Sequence, residues 1–133
     1  MTTPSTNLLA MPLVQMAVTT GNNEDWIDSI CFLVNGTDPD TDPQLDLTGI
    51  NFLMEVRRAP QDHEVIIRAS TDDGTLSIGA PPDFGFLIIN VDHETMRQQG
   101  AGTYVADIIG SDALSVRRVV GIDLTIIEGI TRP

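Results

Sequence analysis

The chain has 133 residues, of which 41% are hydrophobic, enough for one domain with its own apolar core. Nineteen acidic residues oppose seven basic ones, all of them arginine, for a net charge of −12. That balance argues against nucleic acid and against anionic membranes as partners, because both demand a cationic surface.

Residues 1–10 are rich in Thr, Ser, Pro and Asn and predict an extended N-terminal arm, with Leu8 and Leu9 as candidate interface residues. No basic residue precedes the short apolar patch, so the segment does not read as a secretion signal. No apolar run approaches the roughly 20 residues that a membrane-spanning helix needs. Residues 11–133 then read as a single β-sandwich domain. Apolar side chains alternate with polar ones and are punctuated by turn residues, which is the pattern of half-buried antiparallel strands. Strands are expected over 13–18 and 26–34. Next comes a long acidic loop, 35–46, in which Asp38, Asp40 and Asp42 alternate as in a calcium loop. The match is weak: Pro43 stands where such a loop needs glycine, and Gly49 where it needs glutamate.

The clearest strand is 51–57, where Phe52, Met54 and Val56 share one phase and Asn51, Glu55 and Arg57 the other. Strands at 64–69 and 75–78 flank Asp72-Asp73-Gly74, which supplies a positive-φ residue for the turn. A strand at 85–91 precedes the one helical segment, 92–99, with Asp92 as N-cap and Gly100 as stop. Strands at 103–109 and 116–128 complete the chain. In the last, Val116, Val120, Ile122, Leu124 and Ile126 are expected on one face, opposite Arg117, Asp123 and Thr125. The total is an all-β, antiparallel β-sandwich of about 7–9 strands with one short helix, since no room remains for the crossover helices of a parallel sheet.

Chemistry-bearing residues are few. Cys31, the single cysteine, lies inside an apolar strand, which excludes an internal disulfide and leaves an inert thiol. His63 and His93 sit on separate polar turns and are expected at the surface. The chain has no Gly-x-Ser-x-Gly elbow and no phosphate-binding loop. No catalytic residues, metal or cofactor are therefore expected. Trp26 and Tyr104 make a thin platform for a sugar; Trp26 is expected in the core or at a subunit contact. Tyr104 follows a Gly-Ala-Gly-Thr run and has the placement of a tyrosine corner, a stabilising clamp of immunoglobulin-like domains. Of the pairs Arg57-Arg58 and Arg117-Arg118, one member should point outward and the other toward an edge or end. All four are candidates for ion pairs with the chain's own carboxylates or a neighbouring subunit. Segments 30–34 and, apart from Gly85 and Asn90, 84–91 are apolar in both phases, as a strand buried against a partner would be.

Taken together, Gly21-Asn22-Asn23-Glu24-Asp25-Trp26, Asp46-Leu47-Thr48-Gly49, Phe52-x-Met54-x-x-Arg57, Ser70-Thr71-Asp72-Asp73-Gly74, Gly102-x-Tyr104-x-x-Asp107 and Gly121 carry a resemblance. Over about 11–132, the chain resembles the small immunoglobulin-like proteins and N-terminal domains of tailed bacteriophages, including the baseplate upper protein type. The resemblance implies an immunoglobulin-like fold and a non-enzymatic virion protein of the tail, baseplate or fibre attachment. Its partners would be other phage structural proteins and copies of itself. A capsid decoration or cement protein is the alternative, and a carbohydrate-binding module a more distant one.

Overall fold

The computed structural model describes residues 8, 13–33, 45–82 and 85–133. Leu9 and the acidic triplet Asp38, Asp40 and Asp42 lie outside them. In chain order the elements are β1 (Val14–Gly21), β2 (Trp26–Cys31), β3 (Asn51–Arg57), β4 (Ile67–Ser70), β5 (Leu76–Ile78), β6 (Phe86–Val91), α1 (His93–Met96), β7 (Gly102–Ser111) and β8 (Val116–Ile127). They form a two-layer, all-β sandwich. One sheet has five strands in the order β1-β8-β7-β3-β4, the other three in the order β2-β6-β5. Every pairing is antiparallel except β1 with β8, which is parallel and aligns Val14 with Val120 and Gly21 with Ile127.

Alternation dictates the layers. Phe52, Met54 and Val56 of β3, and Tyr104, Ala106 and Ile108 of β7, turn inward with Ile122, Leu124 and Ile126 of β8. From the smaller sheet they meet Trp26, Ile30, Leu76, Leu87, Ile89 and Val91. Phe32, just past β2, stacks on Phe52 with ring centroids 6.4 Å apart, joining the two layers.

Turn chemistry follows the residues that demand it. Gly74 has φ +84 between β4 and β5, and the Asp73 carboxylate accepts hydrogen bonds from the Thr75 amide and hydroxyl. Asp92 caps α1 by accepting from the Thr95 amide at 3.0 Å. The Tyr104 hydroxyl donates to the Gly100 carbonyl at 2.6 Å from a nearly fully buried ring, which is the bond a tyrosine corner makes. Gly85 is obligatory for two reasons. Its φ is +76, and a Cβ there would come within 2.6 Å of the Phe32 carbonyl oxygen.

Two expectations are corrected. Leu8, placed on a free arm, is fully buried in the core; Gly110 leaves the space for it, since a Cβ there would lie 3.0 Å from the Leu8 Cδ1. The face assignment at the start of β8 also fails. Ile108 pairs with Val120 but Ile109 pairs with Arg118, so Val119 is an extra residue, a β-bulge. An extra residue reverses the phase before it: Val116 is exposed on the outer face, and Arg117 falls opposite Gly110 in the inward phase.

Candidate interaction surfaces

Three surfaces of the sandwich could meet another protein. The first is the outer face of the five-stranded sheet. Register sets Glu55 of β3 directly against Asp107 of β7, two like charges side by side. Arginines offset them: Arg57 Nη2 lies 2.7 Å from Glu55 Oε1, Arg68 Nη1 3.9 Å from Glu55 Oε2, and Arg118 Nε 3.2 Å from Asp107 Oδ2. Arg118 reaches Asp107 across Gly121, where a Cβ would come within 2.7 Å of the guanidinium. Arg57 also donates to the Asp62 carbonyl at 2.6 Å. These are part-exposed pairs, so each contributes at most about 1 kcal/mol.

Each arginine pair splits as alternation requires. Arg57 and Arg118 point outward and pair with the chain's own carboxylates. Arg58 lies over the Tyr104 ring, 5.4 Å from its centroid, and Arg117 is half-buried at the end of the sheet.

The second surface is the outer face of the three-stranded sheet. Register places Ile27, Ser29 and Cys31 of β2 beside Asn90, Ile88 and Phe86 of β6, with Ser77 of β5 opposite Ile88. None of these is charged, in a chain of net charge −12. Ile27 is 60% exposed and Phe86 36%, and Cys31 is half-buried rather than enclosed. The doubly apolar segments expected around 30–34 and 84–91 thus place Phe86, Ile88 and Cys31 on this face.

The third is the side of the sandwich where β1 and β2, the edge strands of the two sheets, stand next to each other. A groove of about 330 Å³ runs between them, lined by Met16, Val18, Thr20, Trp26, Asp28 and neighbouring residues. Val14, Met16 and Val18 occupy the inward phase of β1 yet are only half-buried, whereas the inward residues of β3 and β7 are buried. Among the described residues the layer above them is unfinished. Asp28 sits between Trp26 and Ile30 in the inward phase of β2 and accepts the Trp26 indole N–H at 2.8 Å. An inward charge on an edge strand obstructs indiscriminate pairing.

The rim of this groove is fixed by the β1–β2 turn. Asn22 is buried; its amide donates to the Gln99 carbonyl at 2.9 Å and to Glu128 Oε2 at 2.6 Å. Its side-chain oxygen accepts the Gly129 amide at 2.8 Å. Glu24 and Asp25 follow on the turn. Asp25 Oδ1 accepts the His93 amide at 2.6 Å and lies 2.9 Å from His93 Nδ1, and those hydrogen bonds hold its carboxyl below the ordinary value of 3.8.

The candidate residues thus divide. Trp26, a candidate interface residue, is 2% exposed, as is Tyr104, so neither offers a stacking platform for a sugar. Leu8 is likewise inside its own core. Among the described residues no three His, Cys, Asp or Glu side chains gather as a metal site requires, and no helix is long and apolar enough to cross a membrane. His63 and His93 belong to separate segments, with His93 committed to Asp25 and Glu94. The sequence reading missed Asn22 and Asp28 as individuals. Asp28 was legible, being the polar residue in the phase shared by Trp26 and Ile30. Asn22 was not, because its partners lie near the far end of the chain. No family model matches the chain, and no curated protein matches it.

Proposed function

We propose that this chain is a non-enzymatic structural protein of a tailed-phage virion, an adaptor of the tail, baseplate or fibre attachment that acts through protein–protein contacts. The observation that carries the reading is the uncharged sheet face from Ile27 to Phe86 beside an unfinished sandwich edge. A highly acidic chain repels its neighbours except where charge is missing, so an uncharged apolar face is the natural seat for a subunit contact. The resemblance to phage immunoglobulin-like domains supplies the class. Two features support an immunoglobulin-like assignment: the three-stranded β2-β6-β5 sheet facing a sheet that contains β8-β7-β3, and the Tyr104 clamp.

Stable association of this kind buries about 1,200–2,000 Å² in total. The test is location and stoichiometry. Mass spectrometry of separated tails and capsids should find the protein in tails, at tens of copies rather than hundreds. Recovery on capsids in hundreds of copies would replace the adaptor role with decoration, and absence from particles altogether would end the proposal.

A further inference from the structure

Resting on the reading of the chain as an assembly component, we infer that the groove between β1 and β2 receives an extended segment of a different protein, added as a strand along β1. That segment carries alternating apolar residues, with a lysine or arginine facing the groove's carboxylates. Three observations converge. The outer edge of β1 has no partner strand among the described residues, and strand addition to such an edge needs only backbone groups from the visitor. Val14, Met16 and Val18 are half-covered in the phase that is buried elsewhere in the sheet, so a visiting strand's inward side chains would finish that layer. The charged residues of the lining are all acidic, namely Glu24, Asp25 and Asp28, and the His93 ring is the basic group paired with Asp25.

Charge and phase together select the visitor. A strand that added to β1 with only apolar inward residues would bury Asp28 against them, and an enclosed carboxylate without a cation is costly. A guanidinium or ammonium in that phase converts the obstruction into an ion pair, which makes Asp28 a specificity element that rejects uncharged strands. A second copy of this chain does not fit. Its other free edges among the described residues are β2, with Trp26, Asp28 and Ile30 inward, β4, with Ile67 and Ala69 inward, and β5, with Leu76 inward; none puts a cation in that phase, and Arg68 of β4 faces the opposite way. Arg57 lies on β3, which has partners on both sides, and Arg118 of β8 is already held by Asp107.

The test uses the whole protein and three nine-residue peptides: an alternating lysine peptide with threonine at the even positions and valine at the odd ones except for one central lysine, the same composition in two blocks, and the alternating peptide with glutamate in place of that lysine. Binding is measured by calorimetry, and amide exchange of Val14–Gly21 locates it. The alternating lysine peptide should bind, slow exchange along β1 at least fivefold, and lose at least threefold in affinity in the Glu24→Gln/Asp28→Asn variant. Asparagine keeps an oxygen for the Trp26 indole, and an unchanged melting temperature would show that the variant folds. Unaltered β1 exchange, equal binding by the block or glutamate peptide, or undiminished binding by the variant would each overturn the inference. So would sedimentation showing a dimer that the double variant dissolves, which would make the occupant a second copy. Loss of this inference leaves the virion assignment standing, because that one is read from particle composition.

Discussion

Leu8 shows how a residue in a polar, turn-rich stretch can be part of the core. Its side chain fills a space that exists because residue 110 is glycine, and truncation should leave a cavity the sandwich cannot close. Leu8→Ala should therefore cost about 3 kcal/mol in urea unfolding of the isolated protein; a loss below about 0.5 kcal/mol would put the side chain back on the surface. Tyr104→Phe removes only the bond to the Gly100 carbonyl, which is exposed and regains water, so about 1 kcal/mol is expected in the same assay. Asp73 gives the pH dependence. Hydrogen bonds from the Thr75 hydroxyl and amide lower its carboxyl below 3.8, and the amide and hydroxyl of Thr48 do the same for Asp46. A lowered folded value means the stabilisation is complete above 3.8 and fades as pH falls through the folded value. Urea midpoints should fall between pH 5 and pH 3, and Asp73→Asn should flatten that fall.

At the scale of elements, what the sequence made legible was whatever depended on local period. The strand expected over 51–57 is β3 residue for residue, and Asp92 caps the helix as its side chain predicts, although the helix stops at Met96. The expected strand at 64–69 starts only at Ile67. Upstream, the turn is held by the Asp62 amide on the Ala59 carbonyl and by Arg57 on the Asp62 carbonyl, a closure no periodicity announces. The bulge at Val119 was invisible for the same reason: Arg117-Arg118-Val119-Val120 fits either phase until β7 is laid beside it. Of the candidate surface, the Asp28 phase and the apolar character of β6 could be read; which strands become edges could not, because that is a property of the sheet order. Amide exchange should rank the elements accordingly. The central β7 and the adjoining stretches of β3 and β8 should exchange slowest and β1 much faster, with mass-spectrometric exchange as the check. Equal protection of β1 and β7 would contradict the sheet order.

For the molecule as a whole, the acidic charge and the uncharged sheet face act against each other. Replacing Ile27 and Phe86 with serine should leave stability within about 0.5 kcal/mol per site, since both are already part-exposed. The same pair should abolish incorporation into particles, measured by complementing a deletion with the variant; normal incorporation would move the interface elsewhere. The parallel pairing of β1 with β8 reaches furthest. Val14 finds its sheet neighbour at Val120, so during synthesis β1 leaves the ribosome long before the strand it needs. At roughly 5–20 residues per second the delay is on the order of 5–20 seconds. Through that interval the nascent chain presents an unpaired edge to every other polypeptide nearby. The order of translation thus leaves β1 without its sheet neighbour until the last quarter of the chain has been made.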